Sequence, residues 1–408
     1  MKVLYVTQYF SSKPDHASTV TTYEIVKGLA QRGHEVGVVS AHSPGIARIY
    51  GGRMDSPRVI HAFPVPQFSP RWYDGFSTFL THTLLHVPLV GNVMFVDRFY
   101  EDFDAVISMY HPTHLATVSA YLLSRILKLP LVVKIHDFII EAAVPQTLRR
   151  MYNVVLGSAN MRVLKRSSAV LVQSRELMQV VKKVARVDEK KLIDFPNGVD
   201  TNLFRPHVKS EPLQKELGLE GKTVLLFLGA LHRGRHPELL IKALPDIVRE
   251  IRHLKVLFVG EGPQKSELMS LAARLGVSNS VGFVGTVAHS QVPEIISLAD
   301  INMGPFSVDY NPANFGCIPL TILESMACEK PVIVSRGFVS ESLVIDDYNG
   351  VLFEPGDVDG LSSAVISLTE DQRFSRVIGR NARRHVEKAF SWDVLITRLE
   401  SLLNSLVN

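Results

Sequence analysis

The chain has 408 residues, which is too long for one ordinary hydrophobic core and indicates two domains. Hydrophobic residues make up 46% and charged residues 21% of the sequence, a composition that excludes a disordered chain. Two cysteines exclude a disulfide framework, and no Cys/His cluster has the spacing of zinc ligands. Reduced thiols favour a cytoplasmic location.

The net charge of +4 is unevenly distributed along the chain. Residues 1–200 carry 23 Lys and Arg against 16 Asp and Glu, whereas residues 201–408 carry 21 against 24. The basic first half predicts an anionic partner, either a phosphate-bearing acceptor or an acidic membrane surface, rather than nucleic acid. Ordinary surface solvation is the alternative.

Residues 76–96 contain no Asp, Glu, Lys or Arg. The stretch is long enough to cross a bilayer, but its polar residues, proline and glycine favour a buried helix and turn. A peripheral membrane contact lies between these two interpretations.

In chain order, apolar strands alternate with helical segments throughout. The first half has predicted strands at 3–7, 35–40, 104–108, 131–135, 169–173 and 192–195, and predicted helices at 19–32 and 115–127. The second half has predicted strands at 223–228, 255–259, 281–284, 301–304, 331–334 and 350–353, and predicted helices at 238–248, 264–275, 292–298 and 320–327. The pattern predicts an α/β fold of two Rossmann-like, doubly wound domains that face each other across a cleft. Ligands of such sheets bind beyond the carboxyl ends of the strands.

The loop after strand 223–228 is rich in cationic and imidazole side chains. It contains Gly229, His232, Arg233, Gly234, Arg235 and His236. Guanidinium groups beside a helix N-terminus suit a pyrophosphate whose charge grows as its bond to a sugar breaks. A solvated surface loop is the alternative interpretation.

Two further segments of the second half are candidates for nucleotide contacts. Gly260 and Gly262 form a turn after strand 255–259, which either lets the backbone approach a nucleotide or is a plain turn. Glu324 lies between apolar residues of helix 320–327 and should be partly buried. Its carboxylate needs a partner, either the diol of a ribose or a neighbouring Lys or Arg.

Histidines follow two strands of the first half. His136 ends strand 131–135, and His111 and His114 lie on the loop after strand 104–108. Together they predict a polar, ligand-facing rim, although a single strand-end histidine is more often structural. No nearby carboxylate pair has the spacing of a metal site, and Asp357 is interpreted as a helix cap.

A family is identified by several motifs that occur in the expected order along the chain. They are RGHEV (32–36), FPNGVDTNLFRP (195–206), VGEGP (259–263) and LESMACEKPVI (323–333). The chain resembles the family-4 retaining glycosyltransferases of GT-B architecture over nearly its full length. The segment FSW (390–392) is similar to the start of the family's closing helix. The resemblance implies an acceptor-binding domain at 1–200, completed by a helix at 391–408, and a donor-binding domain at 201–390.

The resemblance also implies an activity. Family members transfer a sugar, usually a hexose, from a nucleoside diphosphate sugar with retention at the anomeric centre and without a cofactor or metal. The region 72–141 is most similar to members that extend bacterial surface polysaccharides, so the implied acceptor is a saccharide or a lipid-linked one. The expected location is cytoplasmic, with a peripheral membrane contact as an extension.

Site residues are carried over from the family by position. Glu324 matches the glutamate that binds ribose hydroxyls, Arg235 falls at the place of a phosphate-binding lysine, and His136 matches a histidine near the donor sugar. The other implied donor contacts are Gly229, His232, Arg233, Gly260, Gly262, Asn314, Gly316, Pro319, Leu320 and Thr321. The acceptor side is assigned to His16, His111 and His114.

The sequence departs from the family pattern at three places. Ala230 stands where an arginine is usual, Gly316 where a glutamate is usual, and His16 with Ala17 where the first loop has two glycines. These departures keep open a nucleotide-sugar-binding subunit that lacks turnover. A sugar-nucleotide 2-epimerase is a second alternative.

Overall fold

The computed structural model describes residues 1–9, 17–42, 58–61, 103–110, 116–135, 157–307, 318–337 and 341–407. By its internal contacts the chain divides into two units. The first unit comprises Met1–Pro196 together with Trp392–Asn408, and the second comprises Asn197–Ser391.

The first unit is built on a seven-stranded sheet in the order β3-β2-β1-β4-β5-β6-β7, in which every described pair is parallel. Its strands are β1 (Lys2–Tyr9), β2 (Glu35–His42), β3 (Arg58–His61), β4 (Ala105–Tyr110), β5 (Leu131–Ile135), β6 (Ala169–Val172) and β7 (Leu192–Asp194). Its helices are α1 (Ala17–Gln31), α2 (Ala116–Leu127), α3 (Ser158–Arg166), α4 (Arg175–Ala185) and, from the far end of the chain, α12 (Trp392–Val407).

Successive side chains along each strand point to opposite faces of this sheet, so a hydrophobic core forms on each face. Leu4 and Val6 pack with α2, α3 and α4, whereas Val3 and Tyr5 pack with α1 and α12. Because both faces are covered by helices, the strands read as continuous apolar runs, as expected for a doubly wound parallel sheet.

The second unit has a six-stranded parallel sheet in the order β10-β9-β8-β11-β12-β13. Its strands are β8 (Thr223–Leu228), β9 (Leu254–Val259), β10 (Val281–Gly285), β11 (Ile301–Gly304), β12 (Val332–Ser335) and β13 (Val351–Phe353). Its helices are α5 (Glu211–Glu216), α6 (Pro237–Glu250), α7 (Lys265–Arg274), α8 (Val292–Leu298), α9 (Leu320–Ala327), α10 (Val358–Glu370) and α11 (Gln372–Ala389). The strand order reverses between β8 and β11, which is the place where sheets of this type bind ligands.

The two doubly wound α/β sheets predicted from the sequence are confirmed. Asp357 is the N-cap of α10, where its carboxylate accepts a hydrogen bond from the backbone N–H of Gly360 at 2.9 Å. The structure adds β3 and the helices α3, α4, α5 and α11 to the predicted elements, and it gives the extent of α10, whose start is predicted by the cap at Asp357. The uncharged stretch 76–96 lies outside the described residues.

Candidate functional site

The loop after β8 is folded into a short 3-10 helix, Arg233–Arg235, that leads into α6. The Nδ1 atom of His232 accepts a hydrogen bond from the backbone N–H of Gly234 at 3.1 Å and caps this turn. Burial, and then the charge of Arg235, lower the pKa of His232. His232 is therefore neutral at physiological pH, and it holds the shape of the loop rather than adding a positive charge.

The two arginines of this loop differ in their surroundings. Arg235 is half-buried, and its guanidinium carbon lies 5.2 Å from the ring centroid of Phe306, in the segment after β11. Arg233 is exposed. A cation held over an aromatic face is attracted by the ring quadrupole, so the loops on both sides of the switch point fix the guanidinium of Arg235.

The predicted glycine turn packs directly against the loop after β8. The φ angle of Gly260 is +138°, and a Cβ atom at this residue would lie 2.1 Å from the carbonyl oxygen of Gly229. A Cβ atom on Gly262 would lie 2.3 Å from the carbonyl oxygen of Leu231. Both glycines are thus required for the backbones of the two loops to meet, which is a structural reason for their presence.

Glu324 is buried in the middle of α9, with 6% of its surface exposed. Its Oε1 atom lies 3.1 Å from Nε2 of His289, which follows β10. Burial raises the pKa of Glu324, while the hydrogen bond and charge of His289 and the charge of Arg235 lower it. The partner shown for Glu324 is therefore a histidine, and Arg235 lies close enough to influence the same carboxylate.

Three more of the candidate donor contacts lie at the start of α9. Pro319 precedes the helix, and its carbonyl oxygen accepts hydrogen bonds from Ile322 and Leu323. Leu320 and Thr321 form the first turn and are half-buried. They place the backbone of this turn on the same helix as Glu324.

The structure places Gly229, His232 and Arg235 after β8 and packs Gly260 and Gly262, after β9, against the same loop; the charge of Arg235 acts on the carboxylate of Glu324 in α9. Six other candidates, His16, His111, His114, His136, Asn314 and Gly316, lie outside the described residues. Ala230 is exposed, and its methyl group stands at the position where the family usually has an arginine.

Sequence reasoning missed His289 and Phe306. Both follow the carboxyl end of a strand of the second sheet, so the rule that selected the other loops also pointed to them. Among the residues that the structure describes, no group of three or more His, Cys, Asp or Glu side chains is arranged to hold a metal ion. Within the same residues, no helix combines the length and apolar character needed to span a bilayer.

Comparison with known proteins agrees with this geometry. The fold is that of the GT-B glycosyltransferases: HepE from Anabaena, solved in complex with UDP, superposes with a TM-score of 0.75 at 22% identity, covering 100% of both chains. Sucrose-phosphate synthase from Thermosynechococcus elongatus superposes with a TM-score of 0.73 at 19% identity, covering 99% of this chain and 98% of the other.

Two family models place the chain within this class. The model described as "Glycosyl transferases group 1" matches residues 209–385, and the model "Glycosyltransferase Family 4" matches residues 18–203. The chain belongs to the family-4 glycosyltransferases.

Two curated relatives show the range of reactions in this family. A GDP-mannose-dependent alpha-(1-6)-phosphatidylinositol monomannoside mannosyltransferase of Mycolicibacterium smegmatis is 28% identical over 52% of this chain and 55% of its own. The chain therefore matches only about half the length of that relative. The N-acetyl-alpha-D-glucosaminyl L-malate synthase of Bacillus anthracis is 24% identical over 94% of this chain and 93% of its own.

Proposed function

We propose that the protein is a retaining, metal-independent hexosyltransferase that uses a nucleoside diphosphate sugar and a saccharide or lipid-linked acceptor. The proposal rests on two residues of the second unit. Arg235 lies beside the switch point of the sheet, and Glu324 is buried on α9, where the charge of Arg235 acts on its carboxylate. A fixed guanidinium suits the diphosphate, and a buried carboxylate suits the ribose hydroxyls. One relative named above is GDP-mannose-dependent and one structural neighbour was solved with UDP, so both nucleotides are candidates.

In the proposed reaction the bond between the anomeric carbon and the diphosphate oxygen breaks on the face at which the acceptor hydroxyl attacks. The new bond joins the anomeric carbon to the acceptor oxygen, and the leaving phosphate oxygen takes the acceptor proton. Arg235 stabilises the charge that develops on the diphosphate, while Glu324 accepts hydrogen bonds from the ribose. By resemblance, His136 positions the donor sugar.

The test is a panel of UDP- and GDP-sugars in which release of the nucleoside diphosphate is followed with and without saccharide acceptors. A charge-assisted hydrogen bond contributes about 1.5–3 kcal/mol, so Arg235→Ala should lower kcat/KM by roughly 10- to 150-fold. Arg274→Ala, at an exposed site on α7, is the matched control. Full activity of Arg235→Ala, or no binding of any donor, refutes the proposal.

Two alternatives are outcomes of the same assay. The exposed Ala230 favours a subunit that binds a sugar nucleotide without turnover, which calorimetry would show as donor binding with no product. Conversion of the donor into an isomeric sugar nucleotide without an acceptor identifies an epimerase.

We also propose that the first unit contacts an anionic membrane surface through the outer face of α2, α3 and α4. These helices are neighbours over one face of the sheet. Leu122 and Ile126 of α2 are 42% and 52% exposed and flank the exposed Arg125. Exposed basic residues of the other two helices are Arg162, Lys165, Arg166, Arg175, Lys182 and Lys183. Aliphatic side chains beside cations suit the boundary between lipid headgroups and acyl chains.

Vesicle sedimentation tests this contact with membranes of zwitterionic lipid alone or with added anionic lipid. Each basic residue near an anionic surface contributes about 1 kcal/mol, so reversing Arg162, Lys165 and Arg166 to Glu should abolish binding to anionic vesicles. Val208→Ser, at an exposed apolar residue of the second unit, is the control. If the wild-type protein does not sediment with anionic vesicles, the membrane contact is refuted.

A further inference from the structure

The carboxylate of Glu324 is the only acidic group that the described part of the second unit buries beside the charge of Arg235. Its side chain is 7% exposed, and its Oε1 atom meets Nε2 of His289 at 3.1 Å. In its ionised form the carboxylate can only accept hydrogen bonds, and Nε2 of His289 is then the donor in this contact. Such a charge-assisted bond opposes the rise in the pKa of Glu324 that burial causes.

His289 is itself held by its surroundings. It opens a 3-10 turn, His289–Gln291, in which the side chain of Gln291 accepts a hydrogen bond from the backbone N–H of Ala288 at 3.2 Å. The imidazole meets the buried ring of Phe204 edge-on, with ring centroids 5.4 Å apart and an interplanar angle of 62°. The backbone carbonyl of Phe204 accepts a hydrogen bond from Arg383 of α11. The position of the imidazole is therefore set by two separate elements of the second unit.

We propose that His289 is a positioning residue for the donor nucleotide, because its Nε2–H orients the carboxylate of Glu324 towards the ribose hydroxyls. The inference rests on the proposed function, in which Glu324 binds the ribose. A carboxylate has about four lone-pair sites, so one bond to His289 leaves acceptors for a vicinal diol. Among the described residues, the other titratable or charged groups that act on this carboxylate are Arg235 and Cys328.

The test combines variants of His289 with removal of the ribose hydroxyls. Dissociation constants are measured for a ribonucleoside diphosphate, UDP or GDP, and for its 2′,3′-dideoxy analogue. His289→Phe keeps a ring against Phe204 but removes the N–H, whereas His289→Gln keeps an N–H donor. His253→Ala, at an exposed histidine between α6 and β9, is the matched control.

We expect His289→Phe to weaken ribonucleotide binding about tenfold, in line with one charge-assisted hydrogen bond, and to change dideoxynucleotide binding less than twofold. His289→Gln should stay within about threefold of the wild type for both ligands. Equal effects of His289→Phe on both ligands, or no effect on either, overturn the inference.

Glu324→Ala separates the two levels of the argument. If it weakens the ribonucleotide selectively and His289→Phe does not, only the role of His289 is wrong. If Glu324→Ala changes the dissociation constants of both nucleotides equally, or if neither nucleotide binds the wild type, the proposed function of Glu324 is wrong. The inference about His289 is then wrong as well.

Discussion

Replacement of Gly260 by alanine tests the close packing of the loops after β8 and β9. The added Cβ atom would lie 2.1 Å from the carbonyl oxygen of Gly229, whereas ordinary contact begins at 3.4 Å. The backbone carbonyl cannot rotate away as a side chain would. The two loops are also tied to neighbouring strands, because the N–H of Gly229 donates to the carbonyl of Val259 in β9 at 2.9 Å and that of Gly260 donates to the carbonyl of Gly285 in β10 at 2.8 Å.

The expected cost follows from these contacts. Alanine at a φ of +138° is strained by about 1–3 kcal/mol. Separating the loops weakens the two backbone hydrogen bonds, each of which contributes about 1 kcal/mol. We therefore expect Gly260→Ala to lower the free energy of unfolding by about 3–5 kcal/mol, a loss in the range that identifies a specific structural cause.

Gly276→Ala is the matched control for this substitution. Gly276 also has a positive φ, +70°, but a Cβ atom there would meet nothing within 4 Å. Its cost should be only the left-handed strain of about 1–2 kcal/mol. Urea unfolding of both variants, with the wild type as reference, measures the difference. Equal losses would show that the loops after β8 and β9 do not meet as described.

Three further predictions concern buried and half-buried cations. Burial lowers the pKa of Lys134 to about 7, so the unfolded chain binds one more proton than the folded chain between pH 7 and 10.5. The free energy of unfolding therefore rises with pH in this range, by up to about 1.4 kcal/mol per pH unit. Lys134→Met should remove this rise in urea unfolding measured at pH 7 and 9, and an unchanged slope refutes the prediction. Lys330 donates to the carbonyls of Ser297 and Ala299 at 2.8 and 2.7 Å, so Lys330→Met should cost about 2–3 kcal/mol, whereas a loss below 0.5 kcal/mol would contradict these bonds. Arg383 donates to three backbone carbonyls, and Arg383→Lys, which cannot fork, should cost about 2 kcal/mol in the same titration; thermal unfolding at the wild-type temperature would argue against this.

The two sheets could be predicted because their strands are buried on both faces and read as continuous apolar runs. The helix α4 was missed although its signal is present: Ser174 caps the N-terminus, and Leu177, Val181 and Ala185 recur every four residues on the buried face. The strand β3 has only four residues at the edge of its sheet, so it carries little periodicity.

The candidate site was only partly predictable for a different reason. Arg235 and Glu324 were selected by their positions on a strand-end loop and on an apolar helix, both of which are local features of the sequence. The partner of Glu324 is His289, 35 residues earlier in the chain, and that contact depends on how α9 packs against the loop after β10. A local pattern cannot specify such a pair, so the sequence left a Lys or Arg partner equally open.

The proposed contact of this loop with a diphosphate has to be made without the arginine that is usual at the position of Ala230. Ala230 contributes no charge, Arg233 is exposed, and the lowered pKa of His232 makes that imidazole neutral. The positive charge fixed by packing is therefore that of Arg235, which Phe306 holds from across the switch point. Where one packed guanidinium carries this charge, the exposed Arg233 of the same loop could offset its removal only at the entropic cost of ordering its side chain. The donor should thus depend on Arg235 more steeply than it would in a loop with two fixed cations, since a charge-assisted bond lost without replacement leaves the phosphate oxygen unpaired.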